Sequence, residues 1–173
     1  MKISIIQGDI TSVAADAIVN AANSSLLCSG GIDGAINRAA GPELETACRE
    51  IIDKNFPHGL PPGQAVATKA YNLKAKIIIH TVGPIYGRQD INLLMNCYRN
   101  SLKLAEENRC RTIAFPAIST GAYGVPTQKS AEIVKRVLQF FKSQVVEEIL
   151  LVLYSKNDYD TYKEVFGSDR VSF

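Results

Sequence analysis

Directly after an apolar run, residues 20–40 read NAANSSLLCSGGIDGAINRAA: Asn20 and Asn23, then an adjacent glycine pair and an aspartate. Gly30 and Gly31 carry no side chain to block a close approach and can adopt positive φ. The segment 33–40 then starts a helix whose first N–H groups point back at the loop. Backbone of this kind holds an anion. A second loop, PAISTGAYG over residues 116–124, repeats the arrangement: Ser119, Thr120 and Gly121 precede a helix that begins near Pro126, and they add two hydroxyl donors. Two facing cradles fit a diphosphate. Neither contains a GxxxxGK[ST] run and no GxGxxG follows the first strand, so the pattern binds phosphate without the apparatus that transfers it. Asp9 can accept from an exocyclic amine such as that of adenine, and Tyr154 offers a ring for stacking. Together these residues describe an adenosine diphosphate with a further group attached.

The elements that position them follow from hydrophobic patterning. Short β-branched runs at 3–6, 17–19, 65–70, 77–81, 112–115 and 149–153 predict strands. Leu94, Cys97, Tyr98, Leu102 and Ala105 recur at helical spacing, as do Ile133, Val134, Val137, Leu138 and Phe141. Runs such as KIIIH and EILLVL are apolar without alternation, as in strands covered on both faces. The expected fold is therefore α/β, a three-layer α/β/α sandwich around a mixed, largely parallel sheet. In such a fold, ligands sit beyond the carboxyl ends of the strands, where four polar loops fall, beginning at Gln7, Asn20, Pro116 and Tyr154.

With 173 residues, 46% of them hydrophobic, the chain supports one sizeable core, and a single domain over 1–173 is expected. A net charge of +2 with no lysine or arginine run argues against nucleic acid as a partner, so recognition of RNA ends is the weakest reading. Cys28, Cys48, Cys97 and Cys110 lie far apart and the two histidines have no ligand spacing, so no metal site is expected. Scattered free thiols and a start, MKISIIQGD, without an export leader predict a cytoplasmic protein with no membrane segment.

The combination of GDIT, NAAN, a glycine loop running into DGAIxRAAGP, IxHTVGP and PAISTGAYG resembles the macrodomain family, and specifically its hydrolase branch. The resemblance runs from Gln7 to about Tyr162. It implies an ADP-ribose pocket, with Asp9 at the adenine and Ile10 beside it as a backbone donor. Asn23 would touch the distal ribose. Gly30, Gly31 and Ile32 would line one side of the diphosphate and Ser119, Thr120, Gly121, Ala122 and Tyr123 the other, with Tyr154 flanking the adenosine. Asp33 and Asn23 would be the catalytic pair. The implied activity is cleavage of an ester on the distal ribose, either O-acetyl-ADP-ribose or mono-ADP-ribose on Asp or Glu side chains of proteins, without a cofactor. The alternative is a module that binds ADP-ribose without turning it over. Two departures motivate it: Cys28 and Ser29 stand in the usual glycine run, and Asn37 stands where this branch commonly has histidine.

Each assignment has a plainer counterpart. Asp33 is equally suited to cap a helix. Asn20 and Asn23 suit turns, which we expect of Asn20 and not of Asn23. Asp9 is as well suited to capping a short helix as to adenine. His80 reads as a hydrogen-bonded strand-end histidine, and Arg38 as a surface helix residue or a structural partner near Asp33, without a site role. Cys48, Cys97 and Cys110 read as fillers, and Cys28 either packs or stands at the pocket mouth.

Overall fold

The computed structural model describes residues 1–173. In chain order the elements are β1 (Lys2–Gln7), a 3-10 turn (Ile10–Ser12), β2 (Ala17–Ala22), α1 (Gly31–Ala40), α2 (Glu43–Asn55), β3 (Ala65–Lys69) and β4 (Ile77–Val82). Then follow α3 (Leu93–Glu107), β5 (Thr112–Phe115), α4 (Thr127–Phe140), β6 (Glu148–Leu153), α5 (Lys156–Phe166) and β7 (Arg170–Ser172). All six expected strands form. The seventh, β7, was hidden because it is three residues long with a polar residue at each end.

One seven-stranded sheet runs in the order β3-β4-β2-β5-β6-β1-β7. The inner pairs β4/β2, β2/β5, β5/β6 and β6/β1 are parallel, while the edge strands β3 and β7 are antiparallel to their neighbours. Successive residues of the inner strands feed different cores. Ala17 and Val19 of β2, Ile113 and Phe115 of β5, and Ile149 and Leu151 of β6 pack with Tyr98, Val134 and Tyr162 from α3, α4 and α5. Ile18, Ala114 and Val152 pack with Ile36 and Leu44 from α1 and α2. Burial on both faces is why these strands show no alternation in the sequence.

Because β1, β2, β4, β5 and β6 run the same way, their carboxyl ends share one edge of the sheet. Four of the loops that leave it are the polar loops of the sequence. The fifth begins at Gly83 after β4, within the IxHTVGP motif.

Candidate functional site

A cavity of about 470 Å³ opens at this edge. One wall is Ala21, Ala22 and Asn23, then Ser29, Gly30, Gly31, Ile32 and Asp33; the other is Ala117, Ile118, Ser119, Gly121, Ala122 and Tyr123, with Gly83 between. A recess of similar size between α4 and α5 carries charged side chains of both signs and touches no strand-end loop.

The first wall is set by the chain leaving β2. Asn23 makes a turn of its own: Oδ1 accepts from Ser25 N at 3.1 Å and Ser25 Oγ at 2.6 Å, while Nδ2 donates to Leu27 O at 2.9 Å. One Nδ2–H remains unused. The backbone then enters α1 through Gly30, the N-cap, and Gly31 at φ +61°, the left-handed conformation that favours glycine. Asp33 is therefore not the cap residue. It lies within the first turn, only 4% exposed, and its carboxylate accepts four hydrogen bonds. Oδ2 takes Ser29 N at 2.7 Å and Ser29 Oγ at 2.9 Å; Oδ1 takes Asn20 Nδ2 at 2.8 Å and Asn37 Nδ2 at 3.1 Å.

The two asparagines exchange the expected roles. Asn20, expected in a turn, is a fully buried strand residue bonded to Asp33, whereas Asn23 forms the turn while also lining the cavity. The apolar run that marks the strand stops at residue 19, one short of Asn20, whereas β2 continues to Ala22.

In the second wall Ser119 is held at φ +66°, with its carbonyl accepting from Val125 N at 2.9 Å. Its hydroxyl is buried, faces Gly83 and has no partner. Thr120 does not offer its hydroxyl to the cavity: Oγ1 turns back on Ala117 O at 3.4 Å. Nor does this loop run straight into a helix. Turns closed by Gly124 N to Gly121 O and Val125 N to Ser119 O intervene before α4 begins at Thr127.

A family model for the macro domain matches residues 19–134, which includes both walls. The chain belongs to the macrodomain family. It is 50% identical over 167 residues to a Streptomyces griseus macro domain-containing protein, covering 95% of this chain and 94% of that one. A Klebsiella pneumoniae protein named O-acetyl-ADP-ribose deacetylase is 45% identical over 169 residues, covering 95% of each. A mutant of the Oceanobacillus iheyensis macrodomain, solved with ADPR, superposes with a TM-score of 0.90 at 42% identity, covering 94% of this chain and 90% of that one.

Asp9, Ile10 and Tyr154 of this macrodomain stand outside the cavity walls, at the ends of the neighbouring strands β1 and β6, where Gly8 N bonds Leu153 O at 2.9 Å. Asp9 caps the 3-10 turn, accepting from Thr11 N at 2.9 Å and Thr11 Oγ1 at 2.7 Å. Ile10 is buried against the α1/α2 core, and the Tyr154 ring is 76% exposed. Cys28 is exposed but not on the wall, and Arg38 is exposed on α1. Cys48, Cys97 and Cys110 are buried. No three His, Cys, Asp or Glu side chains converge as a metal site would require, and no helix is long and apolar enough to cross a membrane.

Behind Asp33, His80 of β4 is 1% exposed and bonded to Asn20 and Thr68. Burial lowers its pKa from the ordinary 6.5 to about 4, against the smaller opposing pull of the Asp33 carboxylate. Between those values the unfolded chain binds the extra proton, so His80 leaves stability intact above 6.5 and erodes it as the pH falls. Lowering the pH from about 7 to about 5 should cost about 2 kcal/mol in urea unfolding. Unfolding free energies that stay flat over this range would contradict a neutral buried ring.

Proposed function

We propose that this macrodomain binds ADP-ribose and hydrolyses an ester on its distal ribose. The observation that carries the reading is that Asn23 and Asp33 share one cavity whose two walls are built largely of glycine and alanine, at the strand ends where ligands of α/β sheets bind. The names of the Klebsiella relative and the Oceanobacillus structure support it. In this reading the N–H groups at the start of α1, at Gly30, Gly31 and Ile32, take one side of the diphosphate. The loop of Ser119, Thr120, Gly121, Ala122 and Tyr123 takes the other. The adenosine lies toward Asp9, Ile10 and Tyr154.

The free Nδ2–H of Asn23 donates to a hydroxyl of the distal ribose. Asp33 orients a water toward the ester carbonyl; the water adds, the bond to the ribose oxygen breaks, and a carboxylic acid and ADP-ribose leave. Both carboxylate oxygens already accept two bonds each, so the water takes the place of the exposed Ser29 hydroxyl on Oδ2; its proton passes to a phosphate oxygen of the substrate and from there to the departing ribose oxygen. Binding energy from the adenosine and diphosphate, remote from the reacting bond, holds the ester in place. The chemistry is ester hydrolysis by water and calls for no cofactor. One macrodomain spanning 1–173 would carry it, acting on small ADP-ribose esters and on mono-ADP-ribosylated proteins.

A second reading, a module that holds ADP-ribose without cleaving it, draws on the same four bonds: a carboxylate so fully engaged, with Asn37 among its donors, also suits a fixed wall. Proteins carrying ADP-ribose on glutamate and, separately, on arginine distinguish the two. The hydrolase reading expects release from glutamate and none from the arginine N-glycoside. Binding of both with release from neither would establish the module, and no binding at all would overturn both.

A further inference from the structure

A chain of buried polar groups crosses the sheet beneath the cavity, from its β3 edge to α1. Strands β3, β4 and β2 are neighbours, and the register sets Asn20 opposite His80. At the far end, the Thr68 hydroxyl donates to Lys69 O at 3.0 Å, which commits its only proton. Toward His80 Nε2, also at 3.0 Å, Thr68 can then only accept, so Nε2 carries the ring proton. Nδ1 is left bare and accepts from Asn20 Nδ2 at 3.1 Å. The other Nδ2 proton goes to Asp33 Oδ1 at 2.8 Å. Each proton follows from the network.

The near end demands the same arrangement. Turning the Asn20 amide over would set its oxygen against the Asp33 carboxylate. In the observed orientation Asn20 Oδ1 is buried without a partner, so the two acceptors facing Nδ2 outweigh an orphaned carbonyl. Of the groups that hold Asp33, Ser29 and Asn37 belong to its own loop and helix. Asn20 alone ties the carboxylate to the sheet. The titratable groups facing His80 are Asp33 from α1 and Cys48 from α2, whose Sγ lies 3.9 Å from Nε2. Burial holds that thiol protonated, with its pKa pushed up to about 11, and keeps the ring neutral as an acceptor.

We propose that Thr68 and His80 are positioning residues: together they fix the Asn20 amide, and through it the place of the Asp33 carboxylate at the cavity wall. The kinetic part of the proposal rests on the hydrolase reading, and the structural part does not.

Thr68→Val keeps the shape of a β-branched strand residue and removes the acceptor for Nε2–H; Thr68→Ser retains it. The valine variant should lose about tenfold or more in kcat for an ADP-ribose ester. Its ADP-ribose affinity should stay within about twofold of wild type, and the serine variant should recover kcat to within about twofold. Nitrogen-15 NMR of the ring should show the Nε2–H tautomer of His80 in the wild type, with the Nε2–H resonance displaced in the valine variant, where that proton loses its acceptor, and restored in the serine variant. Wild-type kcat in Thr68→Val, an equal loss in both variants, or an Nδ1–H ring in the wild type would overturn the proposal. If the wild type cleaves no ester, the hydrolase reading falls and the tautomer alone decides. An Nε2–H ring whose proton resonance follows the Thr68 hydroxyl keeps the relay as the holder of Asp33, and any other result removes it.

Discussion

Asp33→Ala should lower kcat for ester hydrolysis by at least about a hundredfold while ADP-ribose affinity stays within about threefold of wild type or tightens. The asymmetry follows from what Asp33 touches. The backbone groups assigned to the diphosphate belong to Gly30, Gly31, Ile32 and the opposite loop; none of them bonds the Asp33 side chain, which reaches this wall only through Ser29. Removing a carboxylate from the wall also removes a charge that opposes an anionic ligand. The water, by contrast, loses the group that orients it. The fold also loses an acceptor for Asn20 Nδ2, Asn37 Nδ2 and both donors of Ser29, of which Asn20 is fully buried. A stability loss of about 1–3 kcal/mol is expected from the stranded donors, so unfolding must be measured beside kinetics. Turnover within about threefold of wild type in the folded variant would remove Asp33 from the mechanism.

Gly83→Ala should act in the opposite way, on binding before chemistry. A Cβ at this position falls onto Ser119 Oγ, and it lies 2.8 Å from Ile118 Cγ2 and 3.2 Å from Ser119 Cβ. Ser119 has little freedom to retreat, since it is held in a left-handed backbone conformation and locked by the bond from Val125 N. The whole second wall must shift. We expect ADP-ribose affinity to fall by about tenfold or more, with about 1–3 kcal/mol of stability lost to overpacking. Adding Ser119→Ala to the same chain deletes the overlapping hydroxyl and should return part of the affinity. Additive losses in the double variant would show that the two residues do not press on one another.

The sheet was legible because its strands are buried on both faces and therefore read as unbroken apolar runs, and because Gly and Pro punctuate the loops. β7 was not legible, since an edge strand of Arg170, Val171 and Ser172 needs only its pairing with β1 and carries no pattern of its own. At the site, the glycines and the aspartate announced themselves by type, and the cavity does bring Asn23, Gly30, Gly31, Ile32 and Asp33 to face Ser119, Gly121, Ala122 and Tyr123. What stayed hidden were contacts across the sheet. Asparagine is uncommon in strands and common in turns, so its type points Asn20 to a turn; its reasons for standing in β2, Asp33 and His80, lie 13 and 60 residues along the chain. Gly83 was passed over because the need for a bare Cα arises only from Ser119, on a loop that follows a different strand.

The central claim, that this cavity cleaves an ester and does not merely hold ADP-ribose, is tested most directly by mixing the wild-type protein in excess with O-acetyl-ADP-ribose and following acetate through a single turnover. A hydrolase gives first-order release of one acetate per ester, stopped by excess ADP-ribose competing for the same walls. Ester that is bound, displaced by ADP-ribose and recovered intact would contradict the claim.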